Sequence, residues 1–172
     1  DGCIDDNDKY AVGHGLAPRL TYGFSLGAEW NGFDFSCLFQ GNAGLQVYWQ
    51  DKFYMGYINY GDVINKEIAE GAWREGRTNA TYPRLLTGLN TLNAQPSDFW
   101  VQNKSYLRLK NVQIGYKIPK KLLQKLDISQ LRLYTSLENM LTFTSYKGID
   151  PEISGTTYPT MKQITVGVNV VF

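Results

Sequence analysis

Histidine is almost missing: the 172 residues contain one, His14. Without a second histidine there is no zincin motif and no metal centre built on a histidine pair. No G-x-S-x-G elbow accompanies His14, so it reads as a solvated loop residue and not as the base of a hydrolase triad. Cysteine is nearly as scarce. Cys3 and Cys37 form neither a CxxC site nor a disulfide framework; Cys3 reads as a free thiol in an acidic loop, and Cys37 as a small packed hydrophobe. Charge is low and balanced, with 17 Lys and Arg against 16 Asp and Glu and a net charge of +1, which removes the broad basic surface of a nucleic-acid binder. No apolar run reaches the roughly 18 residues of a transmembrane helix, and no charged-then-apolar opening reads as a signal peptide. Leu, Ile, Val and Phe are nonetheless too frequent for a disordered chain. A membrane-spanning β-barrel survives all of these exclusions, because its alternating strands keep average hydropathy low.

Aromatics are abundant, at 14% of the chain, and many fall into a period of two. Between Thr21 and Trp30, the residues Tyr22, Phe24, Leu26, Ala28 and Trp30 alternate with Thr21, Gly23, Ser25, Gly27 and Glu29, which is strand period and not helix period. Asn31-Gly32 follows, a pair suited to the positive φ angles of a type I′ turn. Phe33, Phe35, Cys37 and Phe39 then alternate with Asp34, Ser36, Leu38 and Gln40, completing a hairpin. In Ser105 to Ile118 the apolar residues Val112, Ile114, Tyr116 and Ile118 share one parity while Leu107 and Leu109 take the other. A bulge near Lys110 or Asn111 reconciles them. Pro119 closes this strand, Lys120 to Asp127 suggests a short helical turn, and Leu131, Leu133, Thr135 and Leu137 alternate with Arg132, Tyr134, Ser136 and Glu138. The last strand places Ile164, Val166, Val168, Val170 and Phe172 on one face.

Between these strands the pattern stops. Gly41 to about Asn103 reads as one very long loop carrying Tyr48, Trp49, Phe53, Tyr54, Tyr57, Tyr60, Trp73, Tyr82 and Trp100, with a short helix near Val63 to Glu70. Asn139 to Thr160 reads as a second long loop. So long a structureless connection is foreign to a compact soluble domain unless it is functional. The five strands are about ten residues each, the length of a tilted membrane strand rather than of the shorter strands usual in soluble sheets. Connections alternate between short and long, as short periplasmic turns alternate with long extracellular loops in outer-membrane barrels. The reading is therefore all-β: an antiparallel transmembrane β-barrel segment with long extracellular loops. Five strands cannot close such a barrel, which needs about eight, so the chain is expected to be a piece whose two outer strand edges favour aggregation when isolated.

The segments DGCIDDNDKY, YGFSLGAEWNGFDFSCLFQG, YPRL, FWVQNKSYLRLKNVQIGYKIP, LRLYTSLENMLTFTSYKGIDPEI and YPTMKQITVGVNVVF, in that order, resemble the C-terminal end of SusC/RagA-type TonB-dependent outer-membrane transporters. SYLRLKN, ENMLTF, DPE and VNVVF are specific in combination. The resemblance covers nearly the whole chain. It implies about the last five strands of a 22-stranded barrel, the size that holds a plugged lumen, in the outer membrane of a Gram-negative bacterium. It further implies import of oligosaccharides or peptides beneath a SusD-like lipoprotein lid, energised through TonB. Residues 1–172 would then be the C-terminal part of the barrel, without the plug or the TonB-contacting segment. The partners implied are the rest of the barrel and plug, the lipoprotein, TonB, cargo and membrane lipid, with no nucleic acid.

Candidate residues follow from both readings. Trp49, Trp73, Tyr82 and Trp100 offer flat faces on which sugar rings stack; the plainer alternative is that they pack loops together. Arg74, Glu75, Arg77 and Arg84 read as loop ion pairs or as lining of a polar lumen. Asp1, Cys3, Asp5 and Asp8 sit around Gly2 like the second half of a calcium loop, in which glycine permits the curl and hard oxygens ligate; an acidic solvated turn is the alternative. No cofactor is required, and a structural calcium is the one candidate. Ile164, Val166, Val168, Val170 and terminal Phe172 resemble the final-strand signal read by barrel-assembly machinery, a role compatible with lipid-facing packing. Tyr22, Trp30, Phe33, Tyr116 and Tyr134 are candidates for interfacial belts, with Tyr134 on lumen parity. No catalytic residue is expected. A soluble carbohydrate-binding β-domain is the alternative function, but it requires charged outward strand faces that these strands lack. A glycosidase using Asp98 and Glu138 lacks any feature that sets the two carboxylates across one cleft.

Overall fold

The computed structural model describes residues 2, 5–11, 13, 17–48, 57–58, 64–87, 96–124, 127–153 and 158–172. His14 lies outside them. In chain order the strands are β1 (Leu20–Trp30), β2 (Phe33–Ala43), β3 (Gln46–Tyr48), β4 (Tyr57–Ile58), β5 (Leu86–Thr87), β6 (Val101–Asn103), β7 (Tyr106–Lys117), β8 (Gln130–Thr144) and β9 (Gln163–Val171), with short helices α1 (Lys66–Gly71) and α2 (Lys120–Leu123). The chain divides into two compact units, one of residues 1–13 and 46–102, the other of residues 14–45 and 103–172.

The second unit is one antiparallel sheet ordered β1-β2-β7-β8-β9. Its first hairpin forms because Asn31 and Gly32 take φ angles of 48° and 86°, the paired positive values of a type I′ turn. That turn fixes Trp30 opposite Phe33, and the alternation then sets Ala28, Leu26 and Phe24 opposite Phe35, Cys37 and Phe39. The match propagates across the sheet. Trp30, Phe33, Tyr116, Leu133 and Val168 make one row; Ala28, Phe35, Ile114, Thr135 and Val166 the next; Leu26, Cys37, Val112, Leu137 and Ile164 a third. The opposite face carries Glu29, Asp34, Ser36, Gln113, Arg132, Ser136 and Thr165. Cys37 is buried on the apolar face, as a small hydrophobe is expected to be.

The change of parity in β7 is resolved as the sequence pattern predicts. The register shifts between Leu109 and Asn111, so Lys110 is an extra residue; Leu109 and Leu107 regain the apolar face opposite Phe39 and Gly41. One expectation is corrected here. The loop after β8 does not begin at Asn139; the strand runs on to Thr144. Asn139 takes a φ of 54° and, with Met140, fills the gap between Glu138, opposite Asn111, and Leu141, opposite Leu109. That bulge keeps Leu141 and Phe143 in register with Leu109 and Leu107. Similarly, β2 continues past Gln40 to Ala43.

Glycine is required at Gly41 by close approach. A Cβ there would collide with the Tyr106 carbonyl oxygen and lie 2.7 Å from Cζ of Tyr22, whose hydroxyl donates to that same carbonyl at 3.1 Å. Gly41→Val is expected to destabilise the sheet by about 1–3 kcal/mol, the usual cost of overpacking. Urea unfolding of the detergent-solubilised protein measures it.

In the first unit, Asn65 caps α1 by accepting from the Glu67 amide at 2.9 Å, and Ile68 is fully buried. Ala72 bridges to Tyr82. β3 pairs with β6, and β4 with β5. The long aromatic-rich stretch is thus partly structured among its described residues.

Candidate functional site

The most heavily bonded polar cluster described lies on the polar face of β7, against the loop that follows β8. Alternation puts Tyr106 and Arg108 on that face, opposite Thr144 and Thr142. Arg108 is only 4% exposed and uses all three guanidinium nitrogens. Nε donates to Thr142 Oγ1 at 2.8 Å, Nη1 to Glu152 Oε2 at 2.6 Å and Nη2 to Asp150 Oδ1 at 2.7 Å. Lys110 Nζ lies 2.7 Å from Glu152 Oε1, and the Tyr106 hydroxyl donates to the same oxygen at 2.9 Å. Lys104 Nζ donates to the Ile153 carbonyl and stands 5.5 Å from the Tyr146 ring centroid. Asp150 also accepts from the backbone amides of Glu152, at 2.9 Å, and Thr160, at 3.0 Å. A buried ion pair is tolerated when its remaining lone pairs and protons are satisfied, and Asp150 and Glu152 meet that condition.

Burial alone would raise the Asp150 carboxyl, but the Arg108 hydrogen bond and the two backbone amides outweigh it and hold the group at about 2. Because the folded value is depressed, its contribution to stability is complete above the ordinary value of 3.8 and is lost as pH falls through about 2. The melting temperature of the detergent-solubilised protein is therefore expected to drop between pH 4 and pH 2, both values set by that shift. Asp150→Asn should melt lower at neutral pH and show a smaller acid drop.

The other sequence candidates are placed apart from this cluster. Trp73 keeps an exposed ring, 45% accessible, with the Arg84 guanidinium 5.8 Å from its centroid. Ala69, Ala72, Arg74, Glu75 and Leu85 line the shallow concavity beside it. Tyr82 is buried, donates to Glu67 Oε1 at 2.8 Å and meets Phe99 edge-on at 6.5 Å. Trp100, 3% exposed, packs edge-on against Phe99 at 4.8 Å. Trp49 lies outside the described residues, as do Asp1 and Cys3. Asp5 and Asp8 form a reciprocal cap on the turn Asp6–Asp8: Asp5 Oδ1 accepts from the Asn7 amide at 2.7 Å, and the Asp5 amide donates to Asp8 Oδ2 at 2.9 Å. Among the described residues no group of three or more His, Cys, Asp or Glu is placed to hold a metal ion. Ile164, Val166, Val168 and Val170 share the apolar face of β9, and Phe172 follows that strand, exposed. Trp30, Phe33 and Tyr116 gather at the Asn31-Gly32 end, with Phe33 and Tyr116 ring centroids 4.5 Å apart.

The Arg108 cluster was not singled out from the chain as a site. The available signal is the pair of cations Arg108 and Lys110 on one strand, together with the acidic pair in DPE; only the fold joins them.

No family model matches the chain. It is 30% identical to TonB-dependent receptor P3 of Formosa agariphila over 99% of its own length, and 26% identical to TonB-dependent receptor SusC of Bacteroides thetaiotaomicron over 99%. It also superposes on the RagAB peptide transporter with a TM-score of 0.77, at 28% identity over 99% of the chain. This chain is a β-barrel segment similar to those of SusC/RagA-type TonB-dependent receptors. It spans 18% and 17% of the two curated relatives and 19% of the solved chain. Among the described residues the five-stranded sheet is open: β1 and β9 each have a strand neighbour on one side only.

Proposed function

We propose that this chain forms part of the wall of an outer-membrane active transporter that imports oligosaccharides or peptides, with a SusD-like lipoprotein lid and energy supplied through TonB. The apolar face carries this reading. It extends across all five strands, and even Ile114 on the central strand is 51% exposed. A water-soluble domain rarely leaves such a contiguous apolar patch uncovered, whereas lipid requires one on the outside of a barrel whose backbone groups pair within the sheet. The polar face then lines the lumen, and the plug and TonB-contacting segment belong to other parts of the transporter. The similarity to SusC and to the RagAB peptide transporter supports nutrient import; similarity to transporters also supports a non-enzymatic role.

Within this proposal Trp73 is the described aromatic best presented to cargo, beside Arg84, while Tyr82 and Trp100 stiffen the loop unit from within. Ile164, Val166, Val168, Val170 and Phe172 serve as the assembly signal of the closing strand. A structural calcium ion at Asp1, Cys3, Asp5 and Asp8 is part of the same proposal. A melting temperature raised by calcium and lowered by chelator supports that ion, and an unchanged one removes it.

The test is purification of the native complex from outer membranes in detergent, with mass spectrometry of everything that travels with this chain. The expected result is a detergent-dependent polypeptide carrying this segment together with a surface lipoprotein. A monodisperse, detergent-independent protein of only this mass overturns the proposal.

A further inference from the structure

The segment from Gly148 to Ile153 has the sequence of a surface turn but not the bonding of one. Asp150, Glu152 and the Ile153 carbonyl are all held by side chains that arise from β7 or the two residues before it: Lys104, Tyr106, Arg108 and Lys110. By register Tyr106 and Arg108 stand on the polar face, at the end of the sheet remote from the Asn31-Gly32 turn. Two further ties steady the ends of the loop. The Thr144 hydroxyl donates to the Ser105 carbonyl at 2.8 Å, and the Asn139 side-chain amide donates to the Met161 carbonyl at 3.1 Å.

We propose that Gly148–Ile153 is a fixed strap, folded inward over the lumenal wall and clasped by Arg108, which permanently narrows the outer entry of the pore. This rests on the barrel reading above, since that reading makes the polar face lumenal. The chemistry favours a static element over a lid. Opening would break at once the bonds from Arg108 to Asp150 and Glu152, from Lys110 to Glu152 and from Tyr106 to Glu152, charge-assisted bonds that are shorter and stronger than neutral ones. The clasp is also forked. Arg108 grips Asp150 and Glu152 with different nitrogens, which fixes the strap's orientation as well as its position.

The experiment uses the full-length transporter in the outer membrane, with Asp150→Asn/Glu152→Gln as one variant and Arg108→Lys as a second, gentler one. A protease site inserted after Gly148 reports strap exposure on intact cells. The ratio of labelling by a bulky and a small maleimide at Gln40→Cys, an exposed position on the polar face opposite Arg108, reports the width of the entry. The expected result is cleavage at least ten-fold faster and relative labelling by the bulky maleimide at least four-fold higher in the double variant, in keeping with the loss of several charge-assisted bonds, and an intermediate response for Arg108→Lys. Wild-type cleavage as fast as in the double variant, or an entry no wider when the strap is cut, overturns the strap. Heat-modifiable migration and membrane fractionation of the wild type are measured in parallel. Their failure would count against the barrel reading itself, so the two failures are distinguishable.

Discussion

Arg108→Met is expected to be the most damaging single substitution in the sheet. The change removes the only guanidinium at the clasp and leaves two carboxylates, those of Asp150 and Glu152, facing an apolar side chain in a site where Arg108 and Asp150 are both almost fully buried. Breaking a buried pair from one side costs about 3–5 kcal/mol, because the desolvation penalty of the orphaned charge remains while its compensation is gone. Lys110 still reaches Glu152, so the Asp150 side of the clasp should fail first. Adding Asp150→Asn to Arg108→Met removes the stranded charge and should recover part of the loss. A double-mutant cycle on the detergent-solubilised protein, read by thermal unfolding, measures that coupling. Strictly additive losses would show that the two groups do not act as a unit.

The second large effect distinguishes the two faces of the sheet with a matched pair of substitutions. Val112 and Leu38 lie one row apart on neighbouring strands. Val112 is opposite Cys37 on the apolar face, while Leu38 is opposite Asn111 on the polar one. An arginine on the lipid face of a barrel near the bilayer midplane costs about 2–4 kcal/mol, whereas lumenal changes are far cheaper. Val112→Arg is therefore expected to reduce assembled, heat-modifiable protein in the membrane sharply. Leu38→Arg, the same type of change on a comparably apolar residue, should assemble near the wild-type level. Equal damage from both would mean that the two faces do not meet different solvents. Harm confined to Leu38→Arg would reverse the assignment of inside and outside.

Much of this architecture was legible in the chain because a strand's periodicity is local. Side chains alternate with period two, so the stripe from Tyr22 to Trp30, the Asn31-Gly32 turn and the stripe from Phe33 to Phe39 predict their hairpin within twenty or so residues, with no distant contact consulted. The parity change between Leu109 and Val112 likewise announced a bulge. The continuation of β8 through Asn139 to Thr144 was not legible, because its polar start reads as a loop. What extends it is pairing of Leu141 and Phe143 with a strand some thirty residues earlier.

The sequence by itself determined that this is a sheet protein with one apolar and one polar face, which strands build it and where the short turn lies. Local stereochemistry and alternation suffice for each. Only the tertiary structure decided which charges meet. Arg108 and Asp150 are separated by 42 positions, and no periodicity connects them. Their union depends on the register of β7 with β8 and on a loop returning over the polar face. The same holds for Trp73, Tyr82 and Trp100, alike as aromatics in the sequence but divided by packing into one exposed ring and two buried ones. Burial is a property of what else comes near, and that is set by the whole fold.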